Sequence, residues 1–265
     1  MNKYLEVFRL SFKMQMVWRT DVVMTVIYAL CRIAAGWIVW SAIFTGKEIV
    51  GGFTFREMLT YYLICSFLIS VDFSSQIGFE LNDLIRDGKF SGHMVTPMDP
   101  LRYFCSLVAG ETAFHAIFSA IAVFACVAAL HVNVSLTTDP ARVMIALALA
   151  ATGLAFMACF SFIMGILTFR FIDINFILHV QSCALAFATG SMVPLSLLPD
   201  AAFRISRLLP FHHVIYTPST LLTGQAGVSE GLSGLVALIA WTALTAIIGE
   251  KMYHHLRKKY DGVGI

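Results

Sequence analysis

Residues 80–103 read E-L-N-D-L-I-R-D-G-K-F-S-G-H-M-V-T-P-M-D-P-L-R-Y, a polar, helix-like stretch set between long apolar runs. Leu81, Leu84 and Ile85 stand at i, i+3 and i+4 and form one apolar face, while Asp83, Arg86, Asp87 and Lys89 cover the other side. Gly88 is a helix stop, and Pro97 and Pro100 are expected to keep the helix from resuming at once. The pattern allows two readings. The stretch is a plain connector, or it is a docking surface that presents its charges to a soluble partner.

The flanks of this stretch decide the fold class. Of the 265 residues, 58% are hydrophobic and 13% charged, against about 25% charged in a soluble domain. Apolar runs of about 20 residues recur, the length that crosses ~30 Å of hydrocarbon. They lack the every-second-residue alternation of barrel strands. The chain therefore reads as an all-α integral membrane protein, one transmembrane domain over residues 1–265. Six spans are expected, at about Val22–Phe44, Met58–Phe79, Tyr103–Leu130, Ala141–Phe169, Phe176–Val193 and Leu232–Glu250.

Ahead of the first span, Tyr4, Phe8, Phe12 and Met16 repeat every four residues opposite Lys3, Glu6, Arg9 and Lys13. Such a basic amphipathic helix is expected to lie along the cytoplasmic headgroups, broken by Arg19-Thr20-Asp21. With the N-terminus inside, the outer segments hold only Lys47, Arg56, Arg142, Arg204 and Arg207, so both termini and residues 80–103 are expected to be cytoplasmic. No cleavable signal peptide is expected. The net charge of +2 is too small to imply a nucleic-acid partner. The six cysteines form no C-x-x-C pair and are read as core packing.

Residues 194–231 are expected on the outer side, yet they are too apolar for a solvated loop. Asp200 is expected to cap a short helix carrying Phe203, Ile205 and Leu208, stopped by Pro210; a further turn is expected from Pro218 to Gly224. Short apolar helices at this depth must pack on protein. They form either a lid over the bundle or an outer gate to a pathway.

No G-x-x-x-x-G-K-[ST] phosphate loop, H-E-x-x-H helix or G-x-S-x-G elbow is present, so the chain is not expected to be an enzyme. The pairs His212-His213 and His254-His255 point to different sides of a helix and make poor metal sites. The ionisable residues inside spans are Arg32, Asp72, Glu111 and His115. Helical rise puts Arg32, Asp72 and Glu111 at similar depths, ~15, ~10 and ~12 Å from the inner ends of their spans. They are either an ion-pair cluster that ties three helices together or a proton or substrate site. The aromatic and Met residues of the spans suit an apolar or amphipathic cargo, and equally ordinary packing and lipid contact.

Across nearly its whole length the chain resembles the permease subunits of type-2 ATP-binding-cassette (ABC) exporters, most closely a small six-span prokaryotic subgroup. The residues that carry the likeness are Leu84-Ile85-Arg86-Asp87-Gly88-Lys89-Phe90 with Pro97, Pro100 and Leu101. They are joined by Pro194-Leu195-Ser196-Leu197-Leu198-Pro199 with Leu209-Pro210-Phe211, Tyr216-Thr217-Pro218 and Gly224. Thr96 stands where the family often has Arg before the first proline.

The resemblance implies an elbow helix over 1–19 and a cytoplasmic coupling segment over 80–102. In that segment Leu84, Ile85, Arg86, Asp87, Gly88 and Lys89 dock a separate ATP-binding subunit. It also implies external re-entrant helices over 194–231, with Pro194, Pro199, Pro210, Tyr216 and Pro218 in the gate region. Two permease copies, as a homodimer or related heterodimer, would work with two ATP-binding-cassette subunits. ATP and Mg would be held by those subunits, and no cofactor by this chain. The assembly would move a substrate out across the prokaryotic cytoplasmic membrane by alternating access. The competing reading is a proton-coupled secondary carrier that uses Asp72, Glu111 and His115.

Overall fold

The computed structural model describes residues 3–17, 19–129, 134–171 and 173–259. Trp18, residues 130–133, Ile172, the tail beyond residue 259, and the side chains of residues 19–22, 129 and 259 lie outside the described residues, and with them the expectations placed there. In chain order the helices are α1 (Lys3–Gln15), α2 (Arg19–Ile43), α3 (Phe55–Val71), α4 (Ser75–Arg86), α5 (Ser91–Val95) and α6 (Pro100–Ala129). They are followed by α7 (Pro140–Ile166), α8 (Asn175–Ala188), α9 (Asp200–Ser206), α10 (Pro210–Val214), α11 (Tyr216–Leu222) and α12 (Val228–Leu256). A minimal antiparallel hairpin, β1 (Ile49–Val50) with β2 (Phe53–Thr54), joins α2 to α3.

Among the described residues five helical stretches are long and apolar enough to cross a membrane: Val23–Ile43, Phe55–Arg86, Pro100–Ala128, Pro140–Phe169 and Val228–Leu256. The sixth expected span is not among them. The expected span Phe176–Val193 is the 14-residue α8, about 21 Å long at the helical rise. It ends where Gly190 turns left-handed at φ +75°, and Pro194 follows two residues after Met192. An apolar run in sequence does not reveal that stop.

The second span is also not one straight helix. α3 ends at Asp72, whose carboxylate Oδ1 accepts the Ser74 N–H at 3.0 Å, and α4 starts anew at Ser75. This local side-chain-to-backbone bond competes with the helical ladder and breaks it. Past α4, Gly88 adopts φ +74° as anticipated, but the helix does resume, as α5, well before Pro97. Pro100 opens α6 instead of blocking it, because a first-turn proline lacks only an N–H that has no helical partner.

α1 packs against α6. Lys3 donates to the Pro97 carbonyl, Tyr4 Oη accepts the Asp99 N–H, Ser11 Oγ donates to the Leu107 carbonyl, and Phe12 meets Phe114 edge-on. The contacts advance together along both helices, so α1 runs lengthwise on the first half of α6. Its buried seam includes Ser11, not Met16, which is exposed beyond the helix end. Arg19 to Asp21 belong to the first turn of α2, so the break precedes them.

Two apolar clusters divide the bundle. One, around Phe53, Tyr61, Leu149, Phe156, Leu195 and Leu221, joins the hairpin, α3, α7, α10, α11 and α12. The other, around Ile77, Leu81, Ile85, Phe90, Phe104 and Phe162, joins α4, α6, α7 and the end of α12. Segments 44–56, 134–139 and 190–226 meet at the first end. There Thr137 donates its N–H to the Leu222 carbonyl and Gln225 Nε2 donates to the Gly52 carbonyl. Asp200 lies in the first turn of α9 without capping it; the preceding residue is Pro199. The six cysteines are free thiols. Cys31 and Cys183 are exposed, contrary to the core reading; Cys31 lies on the wall of an interhelical cavity.

Candidate functional site

The polar stretch that opened the sequence forms a tight corner at one end of the bundle. α4 is the most amphipathic of the long elements: Ile77, Leu81 and Ile85 are buried, and Asp83, Asp87 and Lys89 are exposed. After the turn at Gly88, the Phe90 N–H reaches back to the Leu84 carbonyl at 2.9 Å. The fully buried Phe90 ring sits 5.2 Å from Phe169 and 6.2 Å from Tyr253, wedging the corner between the ends of α7 and α12.

Charge closes the outer surface of this corner. Arg86 pairs with Asp83 at 3.2 Å and with Asp87 at 3.5 Å, and stands 3.9 Å from Asp173 in the α7–α8 turn. Lys89 pairs with Asp87 at 3.0 Å. The Lys89 ammonium, and Arg86 behind it, hold the Asp87 carboxyl below the usual carboxylate range. Of the six residues expected to dock, Arg86, Asp87 and Lys89 are open to solvent to some degree, Leu84 and Gly88 are half-buried, and Ile85 points into the core.

Asn82 is the residue that the sequence reading missed. It is fully buried, and its Oδ1 accepts from Thr168 Oγ1 and from the Ile174 N–H, both at 3.1 Å. One side chain thus ties α4 to both sides of the α7–α8 turn. The signal was present: Asn82 lies four residues after Gly78 and three before Ile85, on the apolar face. A polar residue there needs a buried partner.

The four ionisable residues expected inside spans separate into two pairs. Arg32 and Asp72 line one cavity of ≈ 770 Å³, walled by α2, α3, the start of α4, α7, α8 and α10. Among the described residues Arg32 has no salt bridge. Its guanidinium donates to the Ser191 carbonyl at 3.3 Å and lies 5.9 Å from the Tyr62 ring centre. Glu111 and His115 turn instead to α1, where Gln15 hydrogen-bonds Glu111 and stands 3.4 Å from His115 Nε2. The His115 ring also stacks on Phe73 at 4.3 Å. The expected ion-pair cluster does not form, because matched depth along a helix says nothing about which way a side chain faces.

At the other end, α10 and α11 are buried almost throughout, and α9 exposes Ile205 while Leu208 and Leu209, just beyond it, are also exposed. Pro210 opens α10, Pro218 lies in the first turn of α11, and Pro194 and Pro199 bracket the short turn before α9. Tyr216 packs on His212 at 4.9 Å and on Tyr61 at 6.1 Å, and Tyr61 Oη donates to the Gly190 carbonyl at 2.6 Å. This bond fastens the end of α8 to α3.

Five apolar helical stretches long enough to cross a membrane, among the described residues, fit a multi-pass membrane protein. A family model described as ABC-2 family transporter protein matches residues 30–264. The chain belongs to this family. As an ABC-2 transporter protein it is the multi-pass membrane permease component of an ABC transporter, not a nucleotide-binding domain. ABC-2 permeases generally pair with an ATP-binding-cassette subunit. None of the curated proteins matches the sequence.

Proposed function

We propose that two copies of this permease, each docked to an ATP-binding-cassette subunit that holds ATP and Mg, form an exporter of the prokaryotic cytoplasmic membrane. α1 serves as the elbow, the α4–α5 corner as the coupling element, and α8 with α9–α11 as the outer closure. The observation that carries this reading is the corner itself. Asp83, Asp87 and Lys89 are presented outward while Leu81, Ile85, Phe90 and Asn82 fasten the same segment to α7, α12 and the α7–α8 turn. A docking surface needs that combination, since mobile charges would absorb a partner's push without passing it on. The apolar base anchors and the charges set register. Both termini are assigned to the cytoplasm, in keeping with the basic residues gathered near the corner. Nucleotide-driven closure of the partner would shift the two copies between inward- and outward-open arrangements.

The test is purification of the tagged chain from its native host in mild detergent. An ATP-hydrolysing subunit is expected in equal number. The double variant Arg86→Glu, Asp87→Lys is expected to weaken that association by about tenfold or more, a loss of roughly 1.4 kcal/mol of docking energy, with the permease still folded. A preparation without such a subunit, or normal assembly and transport in the double variant, would refute the assignment.

A further inference from the structure

The cavity between α2, α3 and α8 has a volume typical of small-molecule sites and a mostly apolar wall, including Tyr28, Ile69, Met157 and Leu185. Into this wall is set one guanidinium. Arg32 lies far inside α2, about 20 Å along the helix from Arg19, at a position where a cation is costly unless it is paired. Its Nε is buried and has no partner. Among the described residues its hydrogen bond to Ser191 is long and leaves most of its donors open. Asp72, the other charge on the same wall, is differently placed: its carboxylate is already engaged by the Ser74 N–H at the α3–α4 break. The cavity therefore offers a guanidinium with open donors, beside a carboxyl group whose Oδ1 already accepts a backbone N–H.

A cation whose only task was to close the end of α8 would be served by the carbonyls there. Tyr62, under the guanidinium plane, holds Arg32 in place without neutralising it. We propose that this cavity binds an amphiphile with an anionic head group, a carboxylate or a phosphate ester. Arg32 takes the charge, and the apolar tail lies along Tyr28, Ile69, Met157 and Leu185. That this ligand is the transported cargo rests on the exporter reading above; that the cavity selects an anion does not.

The test uses the full-length chain in nanodiscs of neutral phosphatidylcholine and measures binding of fluorescently labelled dodecanoate, dodecanol and dodecylamine. Dodecanoate is expected to bind about tenfold or more tighter than dodecanol, the increment of a charge-assisted bidentate contact. Arg32→Gln is expected to bring that ratio to about one with dodecanol binding unchanged, dodecanol serving as the internal measure of an intact cavity. Arg32→Lys, which keeps the charge and loses the planar fork, is expected to retain a reduced preference, and it stands in if the glutamine variant does not fold. Displacement of the probe by phosphatidylglycerol added to the disc would identify the ligand as a bilayer lipid. Failure to displace it would rule out phosphatidylglycerol as the occupant; both outcomes keep the anion site. Equal binding of acid and alcohol by the wild type would overturn it, as would tightest binding of the amine or a ratio that survives Arg32→Gln. A chain that lacks an ATP-hydrolysing partner would refute the exporter and leave this ratio intact, so the two failures are distinguishable.

Discussion

Replacing Asn82 by Leu keeps the volume of a fully buried side chain and removes one oxygen that two donors share. The Ile174 N–H is fixed by the backbone and would be left without an acceptor, at a cost of about 1–3 kcal/mol. The Thr168 hydroxyl can rotate onto a carbonyl of its own helix, so its loss falls near the lower end of the same range. The sum is about 2–4 kcal/mol. For a domain of this size that corresponds to a fall of roughly 5–10 °C in unfolding temperature. Asn82→Asp keeps the acceptor but adds a negative charge beside Asp83 and Asp173, with Arg86 at hand to answer it; its fall should be less than half as large. The assay is thermal unfolding of the purified chain in detergent, followed by intrinsic fluorescence. In the reconstituted complex the Leu variant is expected to hydrolyse ATP with little transport, because the corner no longer grips the α7–α8 turn. A Leu variant that unfolds within about 1 °C of the wild type would show that Asn82 is not the clamp, whatever its distances.

Two further predictions follow from local packing and titration. A Cβ on Gly110 would stand 2.5 Å from the Phe8 carbonyl oxygen and 2.9 Å from the Ser11 Cβ. Gly110→Leu is therefore expected to lift α1 off α6, read as new protease cleavage near the N-terminus while the rest of the chain stays resistant. Burial among Phe90, Tyr103 and Phe104 lowers the pKa of His93 below the ordinary imidazole range. The unfolded chain then binds the proton first, so stability present near pH 7 declines as pH falls below about 6.5 and on through the lower folded value. The unfolding temperature measured across that window should fall more steeply in the wild type than in His93→Phe; parallel slopes would exclude His93 as the cause.

How far the fold and the site were legible in sequence varies with the kind of signal each residue carries. The amphipathic face of α4 and the stop at Gly88 were readable, because hydrophobic period and a left-handed glycine are local properties. The contact of α1 with α6 was not, since Ser11 and Gly110 are small residues that leave no mark on an apolar stripe and matter only when two backbones approach. The short length of α8 was hidden by Met192 and Val193, which continue the apolar run past the turn at Gly190. Arg32, Asp72, Glu111 and His115 all fall within helical stretches apolar and long enough to cross a membrane. Their grouping failed because rise along a helix fixes height and leaves azimuth to packing: Arg32 and Asp72 face one cavity, and Glu111 and His115 face α1. Asn82 sat on the right face to be noticed and was passed over among the charges around it.

The interruption at Asp72 has a mechanical meaning. A strut cut partway along its length carries no axial load beyond the cut. α4 hangs below that cut, and it is bolted sideways through Asn82 to Thr168 and Ile174. Any thrust received at Arg86 and Asp87 is therefore diverted from α3 into the feet of α7 and α8. Of these, α8 is the shorter and forms one wall of the Arg32 cavity, while α3 stays behind as the opposite wall. If the corner is the coupling element proposed above, it would thus move one side of the chamber relative to the other, as a crank turns a shaft about a fixed bearing.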